Sequence, residues 1–426
     1  MAQSSGIRNR RARQRAMLIA AGPEEHSLAE LAELLRTAGV AVAGEMTQKR
    51  ATPDPDRYFG KGKLTELKKA IKDSDANVVA VDDELAPRQE RNLEAAIDTP
   101  VIDRTAVILD IFADHAGSAE GKLQVELAQL EYNMARMRGL WTHLERLGGS
   151  TGGGIATRGP GETQIETDRR LARSRIAALR QRLDRTKGVR QTMRNERERA
   201  GLPTVALAGY TNAGKSTLLN ALTGADVGVR DRLFHTLDPT TRSFEISGRS
   251  YLMTDTVGFI RKLPHQLVEA FGATLEEAMG ADLIVHVTDA SAPEEELHEM
   301  LSAVEEVLEE IGAAEVPVVL ALNKADLLDA DRRRELSFRF PKAVQVSAAT
   351  GEGLDALRET IGGRFLATLR SMELLLPYGE GSSLSELHEL AGEVEREDTP
   401  EGVLVRARVP AVAAARFERF ALNGHR

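Results

Sequence analysis

From residue 16 to about 112, short apolar runs alternate with segments whose apolar residues recur at three- and four-residue steps. The runs at 17–21, 40–43, 78–81 and 107–111 predict strands, and the segments 28–35, 64–71 and 88–97 between them predict amphipathic helices. Strand and helix in alternation predict a small parallel α/β sheet. Within it, Gly60-Lys61-Gly62-Lys63 reads as a solvated loop, with an anion-holding turn as the alternative.

The pattern changes at about 116. Leu123, Leu127, Leu130, Met134, Met137 and Trp141 step by 4, 3, 4, 3 and 4 residues, and Ala172, Ile176, Leu179, Leu183 and Thr186 step by 4, 3, 4 and 3. Both are heptad-like seams. Between them, seven of the fourteen residues from 148 to 161 are glycine, so no helix continues through that stretch. The prediction is an antiparallel coiled-coil hairpin with a glycine-rich tip. Its first helix, 117–147, would be about 45 Å long at 1.5 Å per residue.

Strand–helix alternation returns over 202–367. The last stretch, 368–426, has strand-like runs at 372–376 and 403–409 and helical patterns at 384–390 and 412–420. The expected organisation is a basic arm (1–15), an N-terminal α/β domain (16–114), a helical hairpin (115–201), a larger α/β domain (202–367) and a small C-terminal α+β domain (368–426).

Composition changes this picture in three ways. The chain of 426 residues has no cysteine, which excludes disulfides, thiolate chemistry and cysteine-bound metal and fits a reducing compartment. No apolar run approaches the ~18 residues of a membrane span. The stretch 16–21, behind Arg8, Arg10, Arg11, Arg13 and Arg15, is too short for a signal-peptide core. A cytoplasmic protein without a stable membrane anchor is expected. Finally, the net charge is −9, yet 132–199 holds sixteen Lys+Arg, fifteen of them Arg, against seven Asp+Glu. That local +9 leaves −18 elsewhere. A basic block in an acidic chain points to a partner made of phosphates; a solvated helix face is the alternative.

The chemistry lies in 202–367. A strand at 204–208 leads into Gly209-Tyr210-Thr211-Asn212-Ala213-Gly214-Lys215-Ser216, followed by Thr217 and a helix over 216–222. This is a complete phosphate-binding loop in strand–loop–helix context. Its backbone N–H groups wrap phosphate oxygens, Lys215 offers a cation to the β- and γ-phosphates, and the Ser216 hydroxyl suits magnesium. A strand at 251–254 ends in Asp255-Thr256-Val257-Gly258, where the acid can hold a magnesium-bound water and Gly258 can offer its N–H to the γ-phosphate. A strand at 318–322 ends in Asn323-Lys324-Ala325-Asp326. Asp326 can accept two hydrogen bonds from guanine; adenine offers no such donor pair and would leave the carboxylate unsatisfied. Lys324 can stack its stem on the base, and Ser347-Ala348-Ala349, after a strand at 344–346, suits backbone contact with the guanine oxygen. Together the boxes predict a P-loop GTPase domain, a mostly parallel sheet with helices on both faces, selective for GTP over ATP.

Between the P-loop and Asp255 lies Phe234-His235-Thr236-Leu237-Asp238-Pro239, where a switch needs a hydroxyl that reaches magnesium. Thr236 is the choice, with Thr240 and Thr241 as alternatives; His235 reads as a bystander. Lys215, Thr236 and Gly258 are the candidate catalytic residues. Phe259 follows Gly258 where many GTPases carry a water-orienting Gln. An apolar ring positions no water, so slow intrinsic hydrolysis is expected, and removal of the ring is expected to spare it. Asn212 also occurs at this position in GTPases that hold a potassium ion; the alternative is that it only shapes the loop.

These residues resemble the HflX family of translational GTPases over nearly the whole chain. The resemblance is carried by 209–216, by Phe-His-Thr-Leu-Asp-Pro-Thr (234–240), by Asp-Thr-Val-Gly-Phe-Ile-Arg-Lys-Leu-Pro-His (255–265), and by Gly-Pro-Gly-Glu-Thr-Gln-Ile-Glu-Thr-Asp (159–168) before the Arg-rich helix. It implies binding to the large ribosomal subunit, a role in splitting or rescue of ribosomes, and Ser216 and Thr236 as magnesium ligands. His235 departs from the small Ala common there, which touches only switch details. A projecting basic hairpin with a glycine-rich tip independently suits insertion into folded RNA. Off the ribosome a monomer is expected. The competing reading is a GTP-switched scaffold whose coiled coil binds protein.

Overall fold

The computed structural model describes residues 14–23, 27–148, 160–225, 233–234, 236–262, 264, 267, 272–366, 369–391 and 394–422. The chain divides into two compact units, the first running to Asp184 and the second from Arg185, with 232–234 and 262–271 grouped in the first.

The first unit opens with β1 (Arg15–Gly22), α1 (Ala29–Ala38), β2 (Ala41–Lys49), α2 (Lys61–Ser74), β3 (Val78–Val81), α3 (Pro87–Ile97) and β4 (Val101–Asp103). The four strands form a parallel sheet in the order β2-β1-β3-β4. β1 is apolar along almost its whole length because an interior parallel strand is covered on both faces. α1 buries Leu31, Leu34, Leu35 and Ala38 and ends at Gly39 in the left-handed conformation.

Two expectations are corrected here. Residues 107–111 are not a strand but the middle of α4 (Arg104–His115). Asp103 caps that helix by accepting from the Ala106 N–H at 2.9 Å. Val107, Ile108, Leu109, Ile111 and Phe112 are all buried, and a short apolar run buried on several sides carries no period that separates helix from strand. Gly60-Lys61-Gly62-Lys63 is not a loop either: Gly60 is the N-cap, and Lys61 to Lys63 form the first turn of α2.

The hairpin follows as α5 (Ala119–Gly148) and α6 (Pro160–Ala200). Leu127 of α5 packs with Ile176, Leu179 and Leu183 of α6, and Leu123, Leu130 and Met134 close the seam. The side chains of Met137 and Trp141 lie outside the described residues, as do most of the glycine-rich tip and the basic arm up to Arg13. Arg175 pairs with Glu126 at 2.6 Å and Arg180 with Glu131 at 2.7 Å. At the hairpin base the buried Asp103 accepts from Tyr132 Oη (2.7 Å), Arg136 Nη2 (2.6 Å) and the Leu85 N–H (3.1 Å). One carboxylate thus ties α5 to β4 and α4.

The second unit contains β5 (Thr204–Gly209), α7 (Lys215–Thr223), β6 (Thr240–Ile246), β7 (Arg249–Asp255), α8 (Gly272–Met279), β8 (Leu283–Asp289), α9 (Glu294–Glu310), β9 (Val318–Asn323), α10 (Ala330–Arg339), β10 (Val344–Gln345) and α11 (Leu354–Leu366). The sheet order is β10-β9-β8-β5-β7-β6, parallel except for the antiparallel β6–β7 edge. Leu218, Leu219 and Leu222 of α7 pack with Val205 and Leu207 of β5 and with Leu354, Leu357 and Ile361 of α11.

Beyond it lie β11 (Leu369–Leu376), α12 (Gly381–Ala391), β12 (Glu395–Thr399), β13 (Gly402–Pro410) and α13 (Ala411–Phe417), with an antiparallel sheet in the order β11-β13-β12. Val403, Val405, Ala407 and Val409 of β13 face Leu387, Leu390, Ala414 and Phe417. β12 reads Glu-Arg-Glu-Asp-Thr and showed no strand signal; it is an edge strand whose charges stay in solvent. No helix among the described residues is long and apolar enough to cross a membrane.

Candidate functional site

The site forms at the carboxyl ends of the parallel strands, the usual ligand position of an open α/β sheet. After β5 the loop turns through Asn212 (φ 61°) and Gly214 (φ 91°) into α7. A side chain at Gly214 would place its Cβ 2.3 Å from Asn323 Nδ2, so only glycine fits. Lys215 donates from Nζ to the carbonyls of Gly209 at 3.0 Å and Tyr210 at 2.9 Å. Burial pushes its pKa down to about 8, and the Asp255 carboxylate pulls the other way.

Three oxygens from three segments meet beside Lys215. Ser216 Oγ donates to Asp255 Oδ2 at 2.5 Å, and Thr236 Oγ1 lies 2.8 Å from Ser216 Oγ. A serine hydroxyl has one proton, so Thr236 is the donor in the second bond. The alternatives for the switch hydroxyl sit elsewhere. Thr240 opens β6, and Thr241 Oγ1 lies 2.9 Å from Thr254 Oγ1 across the β6–β7 ladder. Leu237 is buried and Asp238 half-buried. Phe234 belongs to the first unit, edge-on to Phe112 at 4.6 Å, and its carbonyl accepts from His115 Nδ1 at 2.7 Å. His235 lies outside the described residues.

The segment after β7 passes directly over the P-loop. Thr256 Oγ1 donates to the Leu207 carbonyl at 2.7 Å, and Val257 is buried. A Cβ at Gly258 would lie 2.9 Å from Thr211 Cα and 3.1 Å from Lys215 Nζ, so glycine permits the close approach. Phe259 has a role the sequence did not reveal. Its N–H donates to the Gly209 carbonyl at 3.1 Å, its carbonyl accepts from the Thr211 N–H at 2.7 Å, and its ring is fully buried. The residue clamps the loop that would carry phosphates.

At the other end, Asn323 is a strut. Its Nδ2 donates to the Ala213 carbonyl at 2.8 Å and its Oδ1 accepts from the Ala348 N–H at 3.0 Å. Asp326 is exposed, with Oδ1 held by the Ser347 hydroxyl at 2.6 Å; Ala349 is exposed beside it. Lys324, in the left-handed conformation, donates to Asp289 Oδ2 at 2.6 Å. Arg333 Nη2 donates to the Ala325 carbonyl at 2.7 Å and is ion-paired with Glu352. Asp289, Arg333 and Glu352 were not anticipated. Asp289 had one usable signal, since it ends an apolar run and pairs with Asn323 in register. His286 also went unremarked. It is buried on β8, and burial together with the Lys215 cation pushes its pKa down to about 4.

A P-loop after the central strand, an Asp-x-x-Gly segment over it and an Asn-Lys-x-Asp loop at the next strand ends define a P-loop GTPase. Comparison with known proteins narrows this class. Residues 25–113 match the family described as GTP-binding GTPase N-terminal, 115–197 the GTP-binding GTPase Middle Region, and 204–324 the 50S ribosome-binding GTPase. The chain is 45% identical to GTPase HflX of Caldanaerobacter subterraneus subsp. tengcongensis over 97% of its length and 95% of that protein. It is 45% identical to GTPase HflX of Escherichia coli (strain K12), covering 90% of each. A GTP-binding protein from Sulfolobus solfataricus, solved with GDP, is 27% identical at a TM-score of 0.43, covering 82% of this chain and 98% of that one. The chain belongs to the HflX family of GTPases, and GTP is its substrate.

Proposed function

We propose that this GTPase binds the large ribosomal subunit, contacts ribosomal RNA through its basic hairpin, and hydrolyses GTP in splitting, rescue or assembly of ribosomes. In this reading Ser216 and Thr236 ligate magnesium and Asp255 holds one of its waters. The donor set fits the ion: two hydroxyls and a carboxylate, all hard oxygens, already gathered within hydrogen-bond reach of Ser216. When bound, the ion neutralises charge developing on the transferred phosphoryl group.

The remaining steps belong to the chain's own groups. The 209–214 backbone and the start of α7 wrap the phosphates, and Lys215 turns its ammonium from two carbonyls to phosphate oxygens. Gly258 brings its N–H over the same loop. Asp326, oriented by Ser347, accepts from the guanine ring, and Lys324, steadied by Asp289, covers the base. None of these groups orients the attacking water, so rapid turnover calls for a partner.

The observation that supports a ribosomal partner is the outer face of α6. Its seam residues turn inward, while Arg170, Arg173, Arg182 and Arg185 are exposed within the basic block. Arginine forks suit phosphate oxygens. The likeness of 204–324 to the 50S ribosome-binding GTPase family points the same way. Co-sedimentation with purified large subunits tests the reading. More protein should pellet with a non-hydrolysable GTP analogue than with GDP. Absence from the pellet in both states would favour the scaffold reading.

A further inference from the structure

A cleft of about 1340 Å³ in the second unit lies between the β6–β7 turn, the end of α11 and the C-terminal sheet. It shares no residue with the nucleotide boxes. Its apolar lining includes Ile246, Leu366, Leu369, Met372 and Leu422, and its charged lining includes four arginines and two glutamates.

One of those arginines is unusual. Arg249, the first residue of β7, is only 5% exposed, and its Nε and Nη1 find no hydrogen-bond partner among the described residues. Its guanidinium carbon lies 5.3 Å from the centroid of the Tyr251 ring; the Asp282 carboxylate acts on it through space but is exposed and accepts from the Thr204 N–H and hydroxyl rather than pairing with it. A buried guanidinium with idle donors and no carboxylate in direct contact is costly unless something supplies negative charge at close range. The charges that line the cleft do not supply it. Glu373 and Glu395 both engage Arg406, at 2.9 Å and 4.0 Å, and Arg370 reaches Glu418 at 3.5 Å. Arg408, opposite Ser371 on the β11–β13 ladder, is exposed on the same cleft and forms no ion pair among the described residues.

We propose that this cleft is a second ligand site, separate from the GTP site, that takes a small amphipathic oxyanion: a phosphate monoester or carboxylate whose charged group meets Arg249 and Arg408 while its apolar body covers the Ile246–Met372 side. Arginine donors suit both oxyanions, and the apolar lining favours a ligand with a body over a bare ion.

The test uses the full chain saturated with GDP and magnesium, so that the P-loop is filled. Three probes sharing one ring system, 1-naphthyl phosphate, 1-naphthoate and 1-naphthol, are titrated by calorimetry. At least one anionic probe should bind, the neutral naphthol should not, and the better anion identifies the natural head group. Arg249→Met, which keeps the stem and removes the charge, should weaken that binding by about tenfold or more while leaving the free protein's melting temperature unchanged or raised. Arg408→Gln, at an exposed position, should weaken it without affecting folding. Equal binding of naphthol, no binding of either anion, or unchanged affinity in both variants would overturn the proposal. A large loss of stability in Arg249→Met would also count against it, because that marks a structural arginine.

Discussion

Phe259 stands where many GTPases orient water, and loss of its ring is expected to leave intrinsic hydrolysis in place. Burial adds a structural role that the sequence did not show. Phe259→Ala would leave a ring-sized cavity beneath the P-loop, costing about 3–5 kcal/mol. It would also loosen the backbone pairing that joins 259 to Gly209 and Thr211. We expect lower denaturant stability and weaker GTP binding together, and Phe259→Leu should recover most of both. A denaturant series with a nucleotide titration decides it; a stable Ala variant with full GTP affinity would show that the clamp does not depend on the ring. His286 gives a pH signature. Its folded pKa, near 4, lies below the usual value of 6.5, so between those limits the unfolded chain takes up a proton that the folded chain refuses. Stability should therefore fall as pH drops through that window, by about 3 kcal/mol at most. His286→Leu should flatten this part of the acid limb, and an unchanged slope would assign it to other groups. At this scale the nucleotide boxes were legible because their chemistry fixes residue type, order and strand context. Asp289 and Arg333 were not, because a single charged residue that steadies a neighbour leaves no pattern in a sequence.

Among the elements, legibility followed periodicity. The hairpin seam, β3 and the strands leading into the nucleotide boxes carried clear runs or steps, and they were read to within a few residues. Residues 107–111 failed because a helix buried on several sides looks like a buried strand, and β12 failed because a solvated edge strand need not be apolar. The hairpin also refines which arginines face outward. Arg175 is engaged by Glu126, so replacing it would disturb the helix pair as well as the charge. Arg170, Arg173 and Arg185, all exposed, are the cleaner targets. Changing all three to Gln should weaken binding to large subunits and flatten its salt dependence, since fewer counterions are released, while GTP affinity of the isolated protein stays the same. Subunit binding measured across a salt series checks this, and an unaltered series would remove RNA contact from this face.

At the scale of the molecule, one unit holds the candidate GTP site and the other a parallel sheet with most of the hairpin. The sequence made both halves legible, since each repeats strand and helix, but the cleft around Arg249 was invisible because its lining is drawn from separate stretches of chain. Lys215, the P-loop backbone and the Ser216–Thr236–Asp255 cluster can bind and polarise GTP, yet Phe259 leaves the attacking water without an orienting group. On the proposed function, a partner supplies the missing element or induces the switch ordering that does. Single-turnover GTP hydrolysis with and without purified large ribosomal subunits measures this directly. Intrinsic hydrolysis should be slow and stimulation on the order of 10²-fold or more, the low end of what a supplied catalytic element contributes, with the stimulation blunted in Thr236→Ala. Equal rates with and without subunits would contradict it.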